Sequence, residues 1–170
     1  LTESLKLTEW QFDLVYNSFS LTIAAMGAAL LFFILMRNQV ARSHQTAVNI
    51  TSVVVLIALY HYLRIFNSWS DAFTFVDGSY IQKGAPFNEG YRYVDWLLTV
   101  PLLLAELVIV LKLAKSTTRS LITKLTIAAV AMILLGYPGE LAAADSSTRT
   151  IFGILSTLPF LYILYVLFVE

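Results

Sequence analysis

Five stretches of mostly apolar residues follow one another along this chain, and each is about as long as a bilayer is thick. Crossing the hydrocarbon core takes about 20 apolar residues in a helix, so each stretch is predicted to be a membrane span. Of the 170 residues, 58% are hydrophobic and only 13% are charged, whereas soluble domains carry about 25% charged residues. The sequence therefore predicts an all-α transmembrane helical bundle, a single multi-pass membrane domain in the lipid bilayer. Its spans cover approximately residues 12–36, 47–69, 91–113, 121–141 and 149–169.

Charge and composition exclude several other classes of protein. Eleven Lys and Arg are balanced by 11 Asp and Glu, so the chain lacks the basic excess that nucleic-acid binding requires. Cysteine is absent, which rules out disulfides and thiolate metal sites. Since the sequence offers no nucleophile–base pair and no metal-ligand cluster, neither an enzyme nor a metal site is predicted.

A long polar segment, approximately residues 70–90, separates the second and third spans. Phe73 and Phe75 precede the dipeptide Asp77-Gly78 in an alternating pattern, and Tyr80 follows it. Asp-Gly between alternating residues is a strong hairpin signal. The segment is therefore predicted to hold a short β-hairpin.

The connecting segments carry charges of different sign on alternate sides of the bundle. The first connector holds Arg37 and Arg42 without an acid, and the third likewise holds only basic residues. Acidic residues, including Asp71 and Asp145, lie in the second and fourth connectors. Because Lys- and Arg-rich loops stay in the cytoplasm, the N-terminus and the loop 70–90 are predicted to be extracellular.

One face of the third span is polar although the span itself is apolar. At 100° per residue, Arg92, Asp95, Thr99, Leu103 and Glu106 fall within about 80° of one another. Asp95 and Glu106 are separated by roughly 16 Å along the axis, whereas metal ligands would share one level. Ionisable groups at bilayer depth mark ion or proton paths. Two carboxyls on one face at two depths therefore predict the stations of a proton route.

The two acids are expected to differ in protonation. Arg92 and Thr99 lie one turn from Asp95 on either side, which favours its ionised form. The surroundings of Glu106 are Leu and Val residues, so desolvation favours its protonated form. The alternative is a structural Asp95–Arg92 ion pair, with Glu106 extending toward the cytoplasmic interface. His61 of the second span has two open interpretations, a hydrogen bond to a backbone carbonyl or a partnership with Asp95.

The third span, YRYVDWLLTVPLLLAE, closely resembles the third helix of microbial rhodopsins. The resemblance is carried by the spacing Arg-x-x-Asp-Trp-x-x-Thr-x-Pro-Leu-Leu. The acid–Thr–acid pattern of Asp95, Thr99 and Glu106 is similar to that of outward proton pumps of the proteorhodopsin and xanthorhodopsin branch, and it fits chloride and sodium pumps poorly. The resemblance to the xanthorhodopsin-like group covers essentially the whole chain, through AAMGAALLFF, YHYLRIFNSW, GYPGE and STLPFLYILYVL.

This resemblance implies a role for each polar residue on the polar face. Asp95 would be the Schiff-base counterion and proton acceptor, with His61 as its partner and Thr99 one turn away. Glu106 would be the cytoplasmic proton donor, and Arg92 the gating arginine on the exit side. The implied cofactor is all-trans retinal. Its pocket would be lined by Trp96, Leu103, Met132, Gly136, Ser156 and Phe160.

The resemblance also implies features beyond the proton route. In this group a glycine at the position of Gly153 opens a lateral window beside the retinal ring, where some members hold a carotenoid antenna. A helix-packing glycine is the equally weighted alternative. The family's Schiff-base lysine lies in the seventh helix and is not in this sequence. Helices six and seven are therefore expected as partners, within a homo-oligomer (trimer to pentamer) in a bacterial plasma membrane.

The sequence thus predicts the first five spans of a seven-helix rhodopsin fold and a light-driven outward proton pump as the function. Two alternatives stay open. A photosensory rhodopsin would have the same fold and signal to a partner, but Glu106 disfavours it because a sensor rarely needs a fast cytoplasmic donor. A retinal-free structural membrane protein is the second alternative.

Overall fold

A computed structural model describes residues 5–83, 87–88 and 90–169 of the chain. In this part of the chain, five helices are long and apolar enough to cross a membrane. Two short 3₁₀ helices, Arg37–Gln39 and Arg42–His44, connect the first of them to the second. The long helices are α1 (Glu9–Met36), α2 (Gln45–Ala72), α3 (Gly90–Val110), α4 (Lys115–Leu141) and α5 (Ser147–Phe168).

Each long helix packs against the next one along the chain. The main core lies among α3, α4 and α5, and Leu125 and Ala129 at its centre are completely inaccessible to solvent. The small side chains of Ala128 and Ala129 allow α5 to approach α4 closely, as is common between membrane helices. The buried residues of this core are Val108, Leu125, Ala128, Ala129, Ile163 and Val166.

A three-stranded antiparallel sheet covers one end of the bundle, called here the hairpin end. Its strands are β1 (Lys6–Thr8), β2 (Phe73–Val76) and β3 (Ser79–Gln82), in the order β1-β3-β2. The dipeptide Asp77-Gly78 joins β2 to β3, and both residues have a positive φ, 46° and 77°. This left-handed pair of conformations is the backbone of a type I′ turn, which matches the twist of the two strands.

Aromatic stacking fixes the sheet to the ends of α1 and α2. Phe12 of α1 is buried and stacks on Tyr80 of β3, with ring centroids 3.7 Å apart. Trp69 of α2 and Phe73 of β2 complete the cluster, each with its ring centroid 5.8 Å from that of Phe12. The hairpin end is therefore a packed cap on the first two helices rather than an open loop.

The structure differs from the sequence predictions in several element boundaries. Strand β1 is not predicted, because three residues are too few to show a pattern and its partner β3 is distant in sequence. Helix α3 ends at Val110, short of residue 113, since the backbone turns at Lys112, whose φ is 53°. Helix α4 begins at Lys115, before residue 121. Residues 84–86 and 89 of the predicted loop lie outside the described residues.

A side chain at Gly139 would collide with α5. A Cβ atom built there lies 3.1 Å from Cβ of Phe152 and 3.4 Å from the carbonyl oxygen of Arg149. Gly139→Val is therefore expected to destabilise the protein by about 1–3 kcal/mol through overpacking, measured as a lower midpoint of thermal unfolding in detergent. The control is Gly27→Val, since a Cβ at Gly27 meets no described atom within 4 Å. Equal losses in both variants would contradict this expectation.

Candidate proton-transfer site

Helices α2 and α3 run antiparallel, and their register brings polar side chains together at two levels. His61 lies beside Asp95, and Thr51 contacts Glu106. Ten residues separate the two α2 partners and eleven separate the two carboxyls, so the levels lie about 15–16 Å apart along the helix axes. The level of Asp95, nearer the hairpin end, is called the outer level, and that of Glu106 the inner level.

At the outer level, His61 and Asp95 are both buried, each with 6% of its surface exposed. Nδ1 of His61 lies 2.9 Å from the carbonyl oxygen of Ile57 and 3.6 Å from Oδ1 of Asp95. Because a carbonyl oxygen can only accept, Nδ1 carries the proton and donates it to Ile57. The imidazole ring is therefore bonded to the backbone and also lies beside the carboxyl, and its partnership with Asp95 stays a prediction.

The carboxyl of Asp95 is left with an unsatisfied atom. Its Oδ1 is buried and has no hydrogen-bond partner among the described residues. The sequence predicts Thr99 as a donor to this carboxyl, but the Thr99 hydroxyl donates to the main-chain carbonyl of Asp95 at 2.8 Å, a common bond for Thr within a helix. Because an unpaired buried oxygen is costly, Oδ1 fits a donor that comes from outside these residues.

At the inner level, Thr51 contacts both a backbone carbonyl and a carboxyl. Its Oγ1 lies 2.6 Å from Oε1 of Glu106 and 3.1 Å from the carbonyl oxygen of Ala47. A hydroxyl has one proton and cannot donate fully to both oxygens. The hydroxyl of Thr51 therefore donates either to Oε1 of Glu106 or to the carbonyl oxygen of Ala47, and a proton on Glu106 would allow both contacts at once. The carbonyl of Ala47 is therefore one end of a short hydrogen-bonded chain that leads to Glu106.

Arg92 lies one turn from Asp95 in the direction of the hairpin end. Its Nη2 donates to Oε1 of Glu140 in α4 at 3.1 Å. The sequence predicts Asp95 as the charge partner of Arg92 from proximity along one helix, whereas the structure gives Arg92 a carboxylate partner in α4. Glu140 is a residue that the sequence pattern does not identify, because it is 48 positions away.

The residues predicted to line a retinal pocket come from three helices. Three of these residues, one from each helix, lie around the ring of Tyr93. The ring centroid of Tyr93 lies 5.3 Å from that of Trp96. A Cβ built on Gly136 would lie 3.5 Å from the Tyr93 ring and 3.8 Å from Cβ of Ser156. Trp96 of α3, Gly136 of α4 and Ser156 of α5 therefore border one region, and Tyr93 belongs to it although the sequence did not single it out.

The other predicted pocket residues differ in their exposure and contacts. Leu103 and Phe160 are 47% and 45% exposed, respectively. Met132 packs against the main core of α3, α4 and α5. At Gly153 a built Cβ would meet no described atom within 4 Å, so the surface of α5 is open at this position.

The chemistry that this arrangement supports is proton transfer. The two levels offer carboxyl, imidazole and hydroxyl groups at hydrogen-bond or near hydrogen-bond distances. Within residues 5–83, 87–88 and 90–169, no three His, Asp or Glu side chains form a group that could hold a metal ion. Carboxyls held at two depths of a membrane helix are the kind of group from which proton paths are built.

Comparison with known proteins shows the family of this chain. A family model described as "Bacteriorhodopsin-like protein" matches residues 14–170. The chain belongs to this family. As a bacteriorhodopsin-like protein it is a multi-pass membrane protein, and its long helices form a transmembrane bundle.

Two curated relatives of this bacteriorhodopsin-like chain are proteorhodopsins. It is 33% identical over 153 residues to the blue-light absorbing proteorhodopsin of the gamma-proteobacterium Hot 75m4, which covers 90% of the chain. It is 32% identical over 148 residues to the green-light absorbing proteorhodopsin of the gamma-proteobacterium EBAC31A08, which covers 87% of the chain. The chain spans 56% and 55% of the length of these two relatives.

Solved structures with higher identity share the fold of the whole chain. Xanthorhodopsin, described as a light-driven ion pump with dual chromophore, is 48% identical with a TM-score of 0.92, over 98% of this chain and 67% of the xanthorhodopsin chain. Thermophilic rhodopsin is 51% identical with a TM-score of 0.92, over 97% of this chain and 65% of its own. The helices of the bacteriorhodopsin-like chain are therefore arranged as in these rhodopsins.

Proposed function

We propose that this chain contributes the first five helices of a retinal-binding, light-driven outward proton pump. The observation that carries the proposal is the pairing of two carboxyls on α3 with two residues of α2, at levels about 15–16 Å apart. His61 serves the outer carboxyl and Thr51 the inner one. A protein that only needed a stable bundle would gain little from polar groups at these depths, because each is costly in a membrane.

The residues of this chain fit a retinal cofactor. The buried, unpartnered Oδ1 of Asp95 fits a cationic nitrogen as its partner. Leu103 and Phe160 offer exposed apolar surface on α3 and α5, and Trp96 adds an exposed aromatic ring next to Tyr93. The lysine that attaches retinal would come from helix seven, outside this sequence, so helices six and seven complete the pocket.

Each polar residue then has a task in moving a proton outward. Bound retinal would supply the light-driven change that releases a proton beside Asp95. Asp95 accepts this proton, with the imidazole ring of His61 beside its carboxyl at 3.6 Å. Arg92, one turn further toward the extracellular side, provides the positive charge on the exit route. Glu106 holds a second proton at the cytoplasmic level and donates it to replace the proton that has left.

The remaining features of the proposal concern assembly and a second chromophore. The open surface at Gly153 is the position where a carotenoid antenna would contact α5. Xanthorhodopsin, to which this chain is similar, is described with a dual chromophore, and this supports a carotenoid as the molecule that contacts α5 at Gly153. A homo-oligomer of three to five copies in a bacterial plasma membrane is the proposed assembly.

The whole protein, containing helices six and seven and supplied with all-trans retinal, tests the proposal. Oriented in cells or vesicles, it is expected to acidify the extracellular side under illumination. A protonophore should abolish the pH change, and protein without retinal should show none. A visible absorption band without any light-driven pH change would favour the photosensory alternative. The absence of a band would favour a retinal-free structural protein.

Thr51→Val removes the hydroxyl that contacts Glu106 and keeps the shape of the side chain. A protonated Glu106 loses its hydrogen-bond acceptor, so its proton is expected to leave about threefold to tenfold faster, the effect of one hydrogen bond of about 1 kcal/mol. Time-resolved infrared absorption of the Glu106 carboxyl measures this rate.

Ser52→Ala is the matched control for this variant. Ser52 is the next residue of α2, and its hydroxyl donates to the carbonyl oxygen of Val48 at 2.8 Å. Its removal is expected to leave the Glu106 rate unchanged. Unchanged kinetics in Thr51→Val, or the same change in both variants, would contradict the role given to Thr51.

A further inference from the structure

The carboxylate of Glu140 lies between two guanidinium groups from different helices. Oε1 lies 3.1 Å from Nη2 of Arg92 in α3, and Oε2 lies 4.0 Å from Nη2 of Arg149 in α5. Glu140 itself is the second-last residue of α4. One acid therefore joins three helices at the hairpin end, on the side of Asp95 toward which a proton would leave.

The backbone around Glu140 is held firmly by close packing and local hydrogen bonds. The preceding residue, Gly139, lies so close to α5 that a Cβ would be 3.1 Å from Cβ of Phe152. The N-terminus of α5 is capped by Ser146, whose hydroxyl accepts from the backbone N–H of Arg149 at 3.2 Å. The backbone at the α4–α5 corner is therefore well fixed, and the side chain of Glu140 is suited to hold the longer side chain of Arg92.

Arg92 needs such a support because its side chain is long and only half-buried. Its side chain is 41% exposed and that of Glu140 is 27% exposed. A guanidinium–carboxylate contact at 3.1 Å is a charge-assisted hydrogen bond, which is stronger and more directional than a neutral one. The contact draws the Arg92 head group toward α4 and fixes its distance from the outer carboxyl on α3.

We propose that Glu140 is a positioning residue for outward proton transfer, which holds the Arg92 guanidinium against α4 while Arg149 steadies the carboxylate from the other side. This inference rests on the proposed pump function and adds a residue to it. Glu140 transfers no proton itself in this scheme. It limits the orientations of Arg92, so that the positive charge on the exit route stays in one place when Asp95 receives its proton.

The contact can be measured in the dark, independently of pumping. In the whole protein with retinal, solid-state NMR with ¹⁵N-labelled Arg and ¹³C-labelled Glu should show a dipolar contact between the Arg92 guanidinium and the Glu140 carboxyl. Glu140→Gln should weaken the contact, and Glu140→Asp should retain it in part. No such contact in the unaltered protein would overturn the proposal.

Proton release supplies the functional readout. After a light flash, a pH-sensitive dye at the extracellular surface should report the proton about tenfold later in Glu140→Gln, the effect of losing one charge-assisted hydrogen bond. Arg149→Gln should give a smaller delay, because its contact with Glu140 is longer. Glu140→Asp keeps the charge and should recover most of the rate.

Asp145→Asn is the control, since this acid is exposed in the same α4–α5 connection. A retinal absorption band of normal intensity shows that each variant has folded. Wild-type release times in a folded Glu140→Gln protein, or equal delays in Glu140→Gln and Asp145→Asn, would overturn the role of Glu140 and leave the proposed pump function standing. The absence of light-driven transport in the unaltered protein would instead overturn the proposed function and this role with it.

Discussion

Replacing Asp95 with Asn is expected to abolish light-driven outward proton transport by the whole protein. The amide is close in size to the carboxyl but cannot accept a proton at neutral pH, so the proton released beside it has no acceptor at the outer level. Loss of a positioned proton acceptor lowers rates by about 100-fold or more. Nδ1 of His61, which lies 3.6 Å from Oδ1 of Asp95, cannot accept this proton, because its own N–H donates to the carbonyl oxygen of Ile57.

The measurement is the initial rate of extracellular acidification per retinal-loaded molecule. Asp71→Asn is the matched control, since Asp71 is an exposed acid at the hairpin end of α2, and its rate should stay near that of the unaltered protein. The visible band should also shift in Asp95→Asn, because the charge nearest the retinal attachment changes, and it should not shift in the control. Substantial acidification by a folded Asp95→Asn protein would exclude Asp95 as the acceptor.

The inner and outer levels were accessible from the sequence because they depend on helix periodicity alone. Asp95 and Glu106 must share a face at two depths in any regular helix. The antiparallel register adds the partner: when His61 faces Asp95, the residue that faces Glu106 must lie about ten positions earlier in α2. Thr51 occupies that position. It could therefore have been predicted as the partner of Glu106 by combining the His61–Asp95 hypothesis with an antiparallel register, but not from the periodicity of one helix.

Glu140 could not be predicted in the same way. Its contact with Arg92 depends on how α4 is rotated and how closely it lies to its neighbours, and these are set by packing at Gly139 and Phe152. Within one helix, Arg92 has the acid at Asp95 nearby, and a sequence pattern therefore favours that pair. Tertiary packing brings a second carboxylate within hydrogen-bond distance, and no local pattern encodes it.

The hairpin end shows the same division between local and distant signals. The turn at Asp77-Gly78 is a local matter, because Asp and Gly tolerate the positive φ values that a type I′ turn requires. The pairing of β1 with β3 joins Lys6 to Ile81, and three extended residues before a helix carry no sign of such a partner. The end of α3 is intermediate, since a left-handed Lys112 is possible but not indicated by its residue type.

Glu106→Gln is expected to slow the return of the dark-state absorption by about tenfold or more, because the amide has no proton to transfer. The variant keeps the side-chain length and can still reach Thr51. The first, outward half of the process should therefore proceed at a normal rate, and only reloading from the cytoplasmic side should be delayed. Flash photolysis with a single turnover separates these two phases.

The result distinguishes the pump from the photosensor of the same fold. In a pump, a small permeant weak acid added to Glu106→Gln should replace the missing proton donor and restore the recovery rate. The control is Glu9→Gln, a change at an exposed acid of α1, whose recovery should be normal without the weak acid. A sensor has no need for rapid reloading, so its recovery should be insensitive to Glu106→Gln. Unchanged recovery in a folded variant would therefore remove the functional reason for a carboxyl at the inner level and favour signalling to a partner over transport.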